Sequence, residues 1–144
     1  MNRQLDEPAL LALGARLAGR LPAGSILWLE GGLGAGKTTL ARAIVRARGA
    51  DQGATSPTFA LTHRYLTPRG PVFHVDCYRF KGEEEASALD WSELISGDLL
   101  IVEWPDRGGS WVPPATHRLR LGHVEDPDLR EVVIVPDPAE WLDG

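Results

Sequence analysis

Residues 31–39 read GGLGAGKTT, and the apolar run SILWLE at 25–30 leads into them. From Gly31 through Gly36, Lys37 and Thr38 the stretch satisfies the phosphate-loop pattern G-x4-G-K-[ST] in full. Glycines at 31, 32, 34 and 36 tolerate backbone conformations that let successive N–H groups turn inward around an anion. Leu33 and Ala35 supply the remaining N–H groups of that loop. A helix beginning near Gly36 adds the positive end of its dipole. Lys37 is then suited to the β- and γ-phosphates, the Thr38 hydroxyl to Mg²⁺, and Thr39 to the α-phosphate side. The flanks decide against a surface turn that happens to carry a lysine. A buried strand is predicted at 25–30, and a helix from Gly36 to about Arg48 with the apolar stripe Leu40, Ala41, Ile44 and Val45. Gly49 is placed to end that helix. Lysine is also scarce here, Lys37 and Lys81 being the only two.

Strand, loop and helix set the fold class, and the rest of the chain extends it. Leu10, Leu13, Leu17 and Leu21 recur at helical spacing, with Asp6 or Glu7 available as N-cap and Pro8 in the first turn. Extended segments at 58–66 and 71–77 flank the turn Pro68-Arg69-Gly70-Pro71 and predict a hairpin. Residues 82–96 read as helix in pieces, and Gly97-Asp98 as a turn. LLIVEW at 99–104 lacks alternation, which suits a strand covered on both faces. HRLRLG and REVVIV, joined by a turn at 125–128, predict a second hairpin, and 105–114 reads as loop. The sum is an α/β phosphate-loop NTPase fold, a mixed and partly antiparallel central sheet flanked by helices, with 1–144 as one domain.

Composition narrows the function classes. Hydrophobic residues make up 43% and charged residues 24% of 144, which excludes global disorder. A net charge of −5 argues against a protein that grips nucleic acid by its phosphates, although thirteen of the fifteen cations are arginine. Cys77 is the single cysteine, so no intrachain disulfide forms. MNRQLDEPALL lacks the apolar run of a signal peptide and no segment reaches transmembrane length, so a cytoplasmic protein is expected.

The nucleotide is expected to be ATP. Guanine selection of the small-GTPase kind needs Asn-Lys-x-Asp, and the one asparagine is Asn2. Magnesium needs a carboxylate at a neighbouring strand end. Glu103 closes Leu99-Leu100-Ile101-Val102, and Asp76 closes Val72-Phe73-His74-Val75; both are candidates. Thr55-Ser56-Pro57-Thr58 reads either as a plain loop or as a switch whose hydroxyls sense the γ-phosphate or metal. His63, His74, His117 and His123 lack metal-ligand spacing and read as strand or surface residues. Cys77 reads as a buried apolar residue, Glu83-Glu84-Glu85 as a solvated helix start, and Trp28, Trp91, Trp104, Trp111 and Trp141 as core or rim.

GGLGAGKTT at 31–39, SPTF at 56–59, HVDCYR at 74–79 and VEWP at 102–105, in this order and spacing, resemble the bacterial TsaE family, formerly YjeE. The resemblance spans nearly the whole chain. It implies a small ATPase needed for threonylcarbamoyladenosine formation on tRNAs that read codons beginning with A. Such a protein acts through TsaD and its partner TsaB, meets tRNA only through them, and has no membrane role. By position, the resemblance implies that Lys37 clamps phosphate, Thr38 and Glu103 complete the Mg²⁺ site, and Asp76 places the attacking water. Ser56 and Thr58 would belong to the switch, Trp104 to the nucleotide or partner side, and Arg79 would brace the Asp76 loop. Asp106, Arg107 and Arg130 would make contacts outside the phosphates. Two positions depart from the family: an acid usually follows the first loop glycine, where Gly32 stands, and a threonine of the first helix corresponds to Leu10.

Two other functions fit a phosphate loop on a chain this short. A small-molecule kinase should show an arginine-bearing lid, and the arginines here are scattered. A non-catalytic ATP-dependent binding module would use Asp76 and Glu103 only to hold the bound state. No committed arginine finger is evident, so intrinsic hydrolysis should be slow.

Overall fold

The computed structural model describes residues 2–50 and 62–143. Strand β1 (Asn2–Leu5) leads into helix α1 (Glu7–Arg20), whose N-cap Asp6 accepts a hydrogen bond from the Ala9 N–H at 2.9 Å. Leu10, Leu13 and Leu17 of α1 are buried, as their spacing predicts. Strand β2 (Ser25–Gly31) runs into the phosphate loop, and α2 (Lys37–Ala47) leaves it. The first predicted hairpin is β3 (Thr62–Thr67) with β4 (Gly70–Asp76). Two short helices, α3 (Glu83–Ser87) and α4 (Trp91–Leu94), precede β5 (Leu99–Glu103). The second hairpin is β6 (His117–His123) with β7 (Arg130–Val135), followed by α5 (Pro138–Trp141).

The seven strands of the described residues form one sheet in the order β1-β7-β6-β2-β5-β4-β3. Its centre, β6-β2-β5-β4, is parallel, and its flanks are antiparallel. The expected mixed sheet is therefore present. Alternation along each strand divides the core in two. Leu27, Leu29, Val72, Leu99, Ile101 and Leu119 pack in one cluster with the buried residues of α1 and α2. Phe73, Val75, Leu100 and Val102 face the other way, against Phe80, Ala86, Leu94 and Val112. All five residues of β5 are buried, which is why its sequence reads as an unbroken apolar run.

Four features depart from the sequence reading. β1 and α5 were not foreseen, and Pro105–Trp111, expected as loop, winds into 3-10 turns. The other departure lies at the amino ends of the parallel strands. Arg48, just beyond α2, is buried and donates from Nε to the Asp98 carboxylate at 2.8 Å. Its Nη1 donates to the carbonyls of Ala18 at 2.6 Å and Leu21 at 3.0 Å. Asp98 in turn donates its N–H to Pro71 O and accepts at its backbone carbonyl from the Gly24 N–H. One ion pair thus ties together the ends of α1 and α2 and the starts of β2, β4 and β5. Among the described residues, no helix is long and apolar enough to cross a membrane.

Candidate functional site

Ligands of open α/β sheets bind outside the carboxyl ends of the parallel strands. At that end the loop 32–36 joins β2 to α2. Gly31 is the tightest point: its φ is +145°, and a Cβ there would lie 2.2 Å from the Leu121 carbonyl oxygen on β6. Gly36 caps α2 in the left-handed region at φ 105°, a conformation most side chains resist. No side chain caps α2, so its first N–H groups face the loop. Gly32 lies outside the left-handed region and has open space around a Cβ, so the backbone does not demand a glycine there.

Lys37 is buried and folds back over this loop. Its ammonium donates to Gly31 O at 2.8 Å and Gly32 O at 2.7 Å and lies 4.4 Å from the centroid of the Trp104 ring. Burial pushes the Lys37 pKa below the ordinary lysine value, against the opposing pull of the Glu103 and Asp76 carboxylates. Strand pairing brings those two acids together: Asp76 and Glu103 are register partners on β4 and β5, and Leu29 of β2 lies across from Glu103. The Thr38 hydroxyl sits 3.2 Å from Glu103 Oε1 and 3.3 Å from Oε2. Asp76 Oδ1 accepts from the Tyr78 N–H at 3.0 Å.

His74 enters the same cluster. Its Nε2 is 2.5 Å from Glu103 Oε2, and both residues are buried. The sequence reading placed this histidine among plain strand residues. The available signal was its position two residues before Asp76, on the same face of an otherwise apolar strand.

Trp104 is the only non-glycine residue with positive φ among the described residues (φ 56°, ψ 51°). Such a conformation costs on the order of 1–3 kcal/mol and marks sites held by their surroundings. Its ring lies 4.9 Å from Tyr78, centroid to centroid, and the Arg107 guanidinium stacks 4.4 Å from Tyr78 while donating to its carbonyl.

Two openings adjoin the loop. One of about 290 Å³ is lined by Lys37, Thr38, Asp76, Tyr78, Glu103 and Trp104. The other, about 410 Å³, lies beyond the loop, where Asp6, Pro8, Leu10, Pro127 and Arg130 form walls. Gly34, Ala35, Gly36 and Thr39 border both. Arg130 is fixed there by the Pro127 and Leu129 carbonyls. Leu10, the departure in the first helix, supplies apolar wall and would touch a Cβ at Gly36 at 3.2 Å.

Not every expected residue converges. Arg79 is exposed, with no side-chain hydrogen bond or ion pair among the described residues, while Arg107 donates to the Tyr78 carbonyl. Asp106 is exposed and lines neither opening. Thr55, Ser56, Pro57 and Thr58 lie outside the described residues.

The donor set suits a hard cation. Mg²⁺ is usually held by one or two carboxylates together with substrate phosphates, not by an all-protein cage. The Thr38 hydroxyl and Glu103 carboxylate offer that, and no cluster of three or more His, Cys, Asp or Glu side chains among the described residues offers a cage. Cys77 takes no part: burial, reinforced by Asp76, Asp106 and Glu103, pushes its thiol up to about 12. The folded protein should therefore react with a thiol-specific reagent at pH 8 at least about a hundredfold more slowly than the urea-unfolded chain. Equal rates in the two states would contradict this environment.

Comparison with known proteins adds relatives. The family model described as "Threonylcarbamoyl adenosine biosynthesis protein TsaE" matches residues 5–132. A tRNA threonylcarbamoyladenosine biosynthesis protein TsaE from Streptomyces coelicolor is 43% identical over 136 residues, covering 90% of this chain and 91% of its own. The Nostoc protein of the same name is 38% identical over 138 residues, with 91% and 82% covered. The crystal structure of YdiB from Bacillus subtilis superposes with a TM-score of 0.71 at 26% identity, covering 93% of this chain and 86% of that one.

Proposed function

The chain belongs to the TsaE family, and from that membership we propose that it is a Mg²⁺-dependent ATPase subunit for threonylcarbamoyladenosine formation on tRNA. In this role it works in the cytoplasm as one domain, acts through TsaD and TsaB, and meets tRNA only through them. The observation that carries the proposal is the convergence of Lys37, Thr38, Asp76 and Glu103 on one opening beside the phosphate loop.

Each residue has a task that its surroundings suit. Lys37 moves its ammonium from the Gly31 and Gly32 carbonyls to the β- and γ-phosphates, while the α2 N–H groups and Thr39 take the α-phosphate side. Thr38 and Glu103 hold Mg²⁺, which when bound supplies charge neutralisation on the phosphate oxygens. Asp76 has one carboxylate oxygen committed to the Tyr78 N–H, which leaves the other to orient a water and take its proton during in-line attack. The opening beyond the loop takes the nucleoside, with Leu10 and Pro8 as apolar wall and Arg130 as polar contact. Trp104 closes the lysine side, and Arg107 holds Tyr78 beneath it. Ser56 and Thr58 act as the γ-phosphate switch, and Asp106, exposed beside the 3-10 turns, belongs to the partner side.

The acidic balance of the chain, −5, agrees with docking on proteins better than with holding tRNA directly. A tagged chain should capture purified TsaD and TsaB, with a yield that changes when ATP replaces ADP. Failure to capture either partner under both conditions would overturn the partnership.

A further inference from the structure

We propose that His74 is a positioning residue that holds the Glu103 carboxylate in the orientation a divalent cation needs. This rests on Glu103 being a metal ligand, as proposed above. His74 lies on the face of β4 that Val72 and Asp76 share, in a strand otherwise buried among apolar side chains. A polar ring placed there costs stability unless it is partnered. Its partner is not the residue across the ladder, which is Ile101, but Glu103 one pleat further along β5 on the same face. The imidazole therefore reaches diagonally to Oε2 at 2.5 Å, a contact fixed by strand pairing and not by a loop.

The consequence for the carboxylate is specific. A carboxylate that holds a cation is ionised and only accepts, so in that role the bond is donated by His74 Nε2–H. Oε2 carries the short bond as well as a 3.3 Å contact with the Thr38 hydroxyl, while Oε1 meets that hydroxyl alone, at 3.2 Å. That leaves Oε1 the freer oxygen, beside the hydroxyl that would share the cation. Hydrogen-bond partners of metal ligands commonly govern affinity in this way.

The test is Mn²⁺ binding to the ADP complex of the full chain, followed by electron paramagnetic resonance of free Mn²⁺, with ADP affinity in EDTA measured alongside. His74→Leu keeps bulk and removes the donor; it should weaken Mn²⁺ binding about tenfold and leave metal-free ADP affinity within about twofold. His74→Gln, whose amide can reach Oε2, should recover Mn²⁺ affinity to within about threefold of the parent. If the Leu variant does not fold, His74→Asn, with an amide too short for the bond, takes its place. Parent-like Mn²⁺ affinity in the donor-free variant, or equal weakening by Gln, overturns the inference. Glu103→Gln separates the two levels. If it weakens Mn²⁺ binding while His74→Leu does not, only the role of His74 fails; if it binds Mn²⁺ like the parent, the metal assignment and this inference fall together.

Discussion

Glu103→Ala is expected to lower ATP hydrolysis at least about a hundredfold, the usual scale for losing one preorganised electrostatic contact. Nucleotide binding should change far less, because the loop N–H groups and Lys37 remain. The residue ends a fully buried strand, and its carboxylate is the common partner of Thr38 and His74. Alanine removes the proposed metal ligand and also leaves a buried imidazole without its acceptor, at about 1–3 kcal/mol of stability. The measurement is phosphate release with TsaD and TsaB present, beside ADP affinity and a thermal melt. A folded Glu103→Ala protein that hydrolyses ATP at the parent rate would show that the carboxylate does not serve the reaction.

Asp98→Ala should be the most damaging substitution away from the site. It strands the Arg48 guanidinium, whose side chain has no exposed surface, beneath the ends of α1 and α2. Breaking a buried pair by removing one partner costs about 3–5 kcal/mol, because the remaining charge is left uncompensated. Arg69, 3.6 Å from the other Asp98 oxygen and partly exposed, is a second cation and cannot compensate the stranded guanidinium. At this chain length the loss corresponds to a melting temperature lower by on the order of 10 °C. The pair lies at the opposite end of the strands from the phosphate loop, so at a temperature where the variant is folded its ATP affinity should match the parent. A melting temperature unchanged within about 2 °C would contradict the ion pair as the tie between these elements.

The two cases differ in how far the sequence foretold them. GGLGAGKTT and LLIVEW are legible because local chemistry dictates them: glycines for a backbone cradle, and unbroken apolar residues for a strand covered on both faces. The carboxylates Asp76 and Glu103 were legible as acids ending such runs, and the sheet makes them register neighbours. Arg48 and Asp98 are fifty positions apart, and nothing near either announces a buried pair. His74 was readable as a polar residue in an apolar strand, but its partner depends on the diagonal between β4 and β5, which only the strand order supplies. NRQL has no apolar alternation to mark it as a strand; β1 exists because its backbone pairs with β7 at the sheet edge. PAEW, the whole of α5, is too short for any periodicity to show. Arg79 stands at a motif position, yet among the described residues it is Arg107 that contacts Tyr78 after Asp76.

We propose that this chain spends ATP on behalf of partner proteins. Phosphate release should be measured with ATP and Mg²⁺ on the chain alone and again with purified TsaD and TsaB. Release should be slow from the chain alone, rise about tenfold or more with both partners, and lose that rise in Lys37→Ala. Absence of turnover with the partners present, or appearance of the γ-phosphate on a small-molecule acceptor, would contradict it.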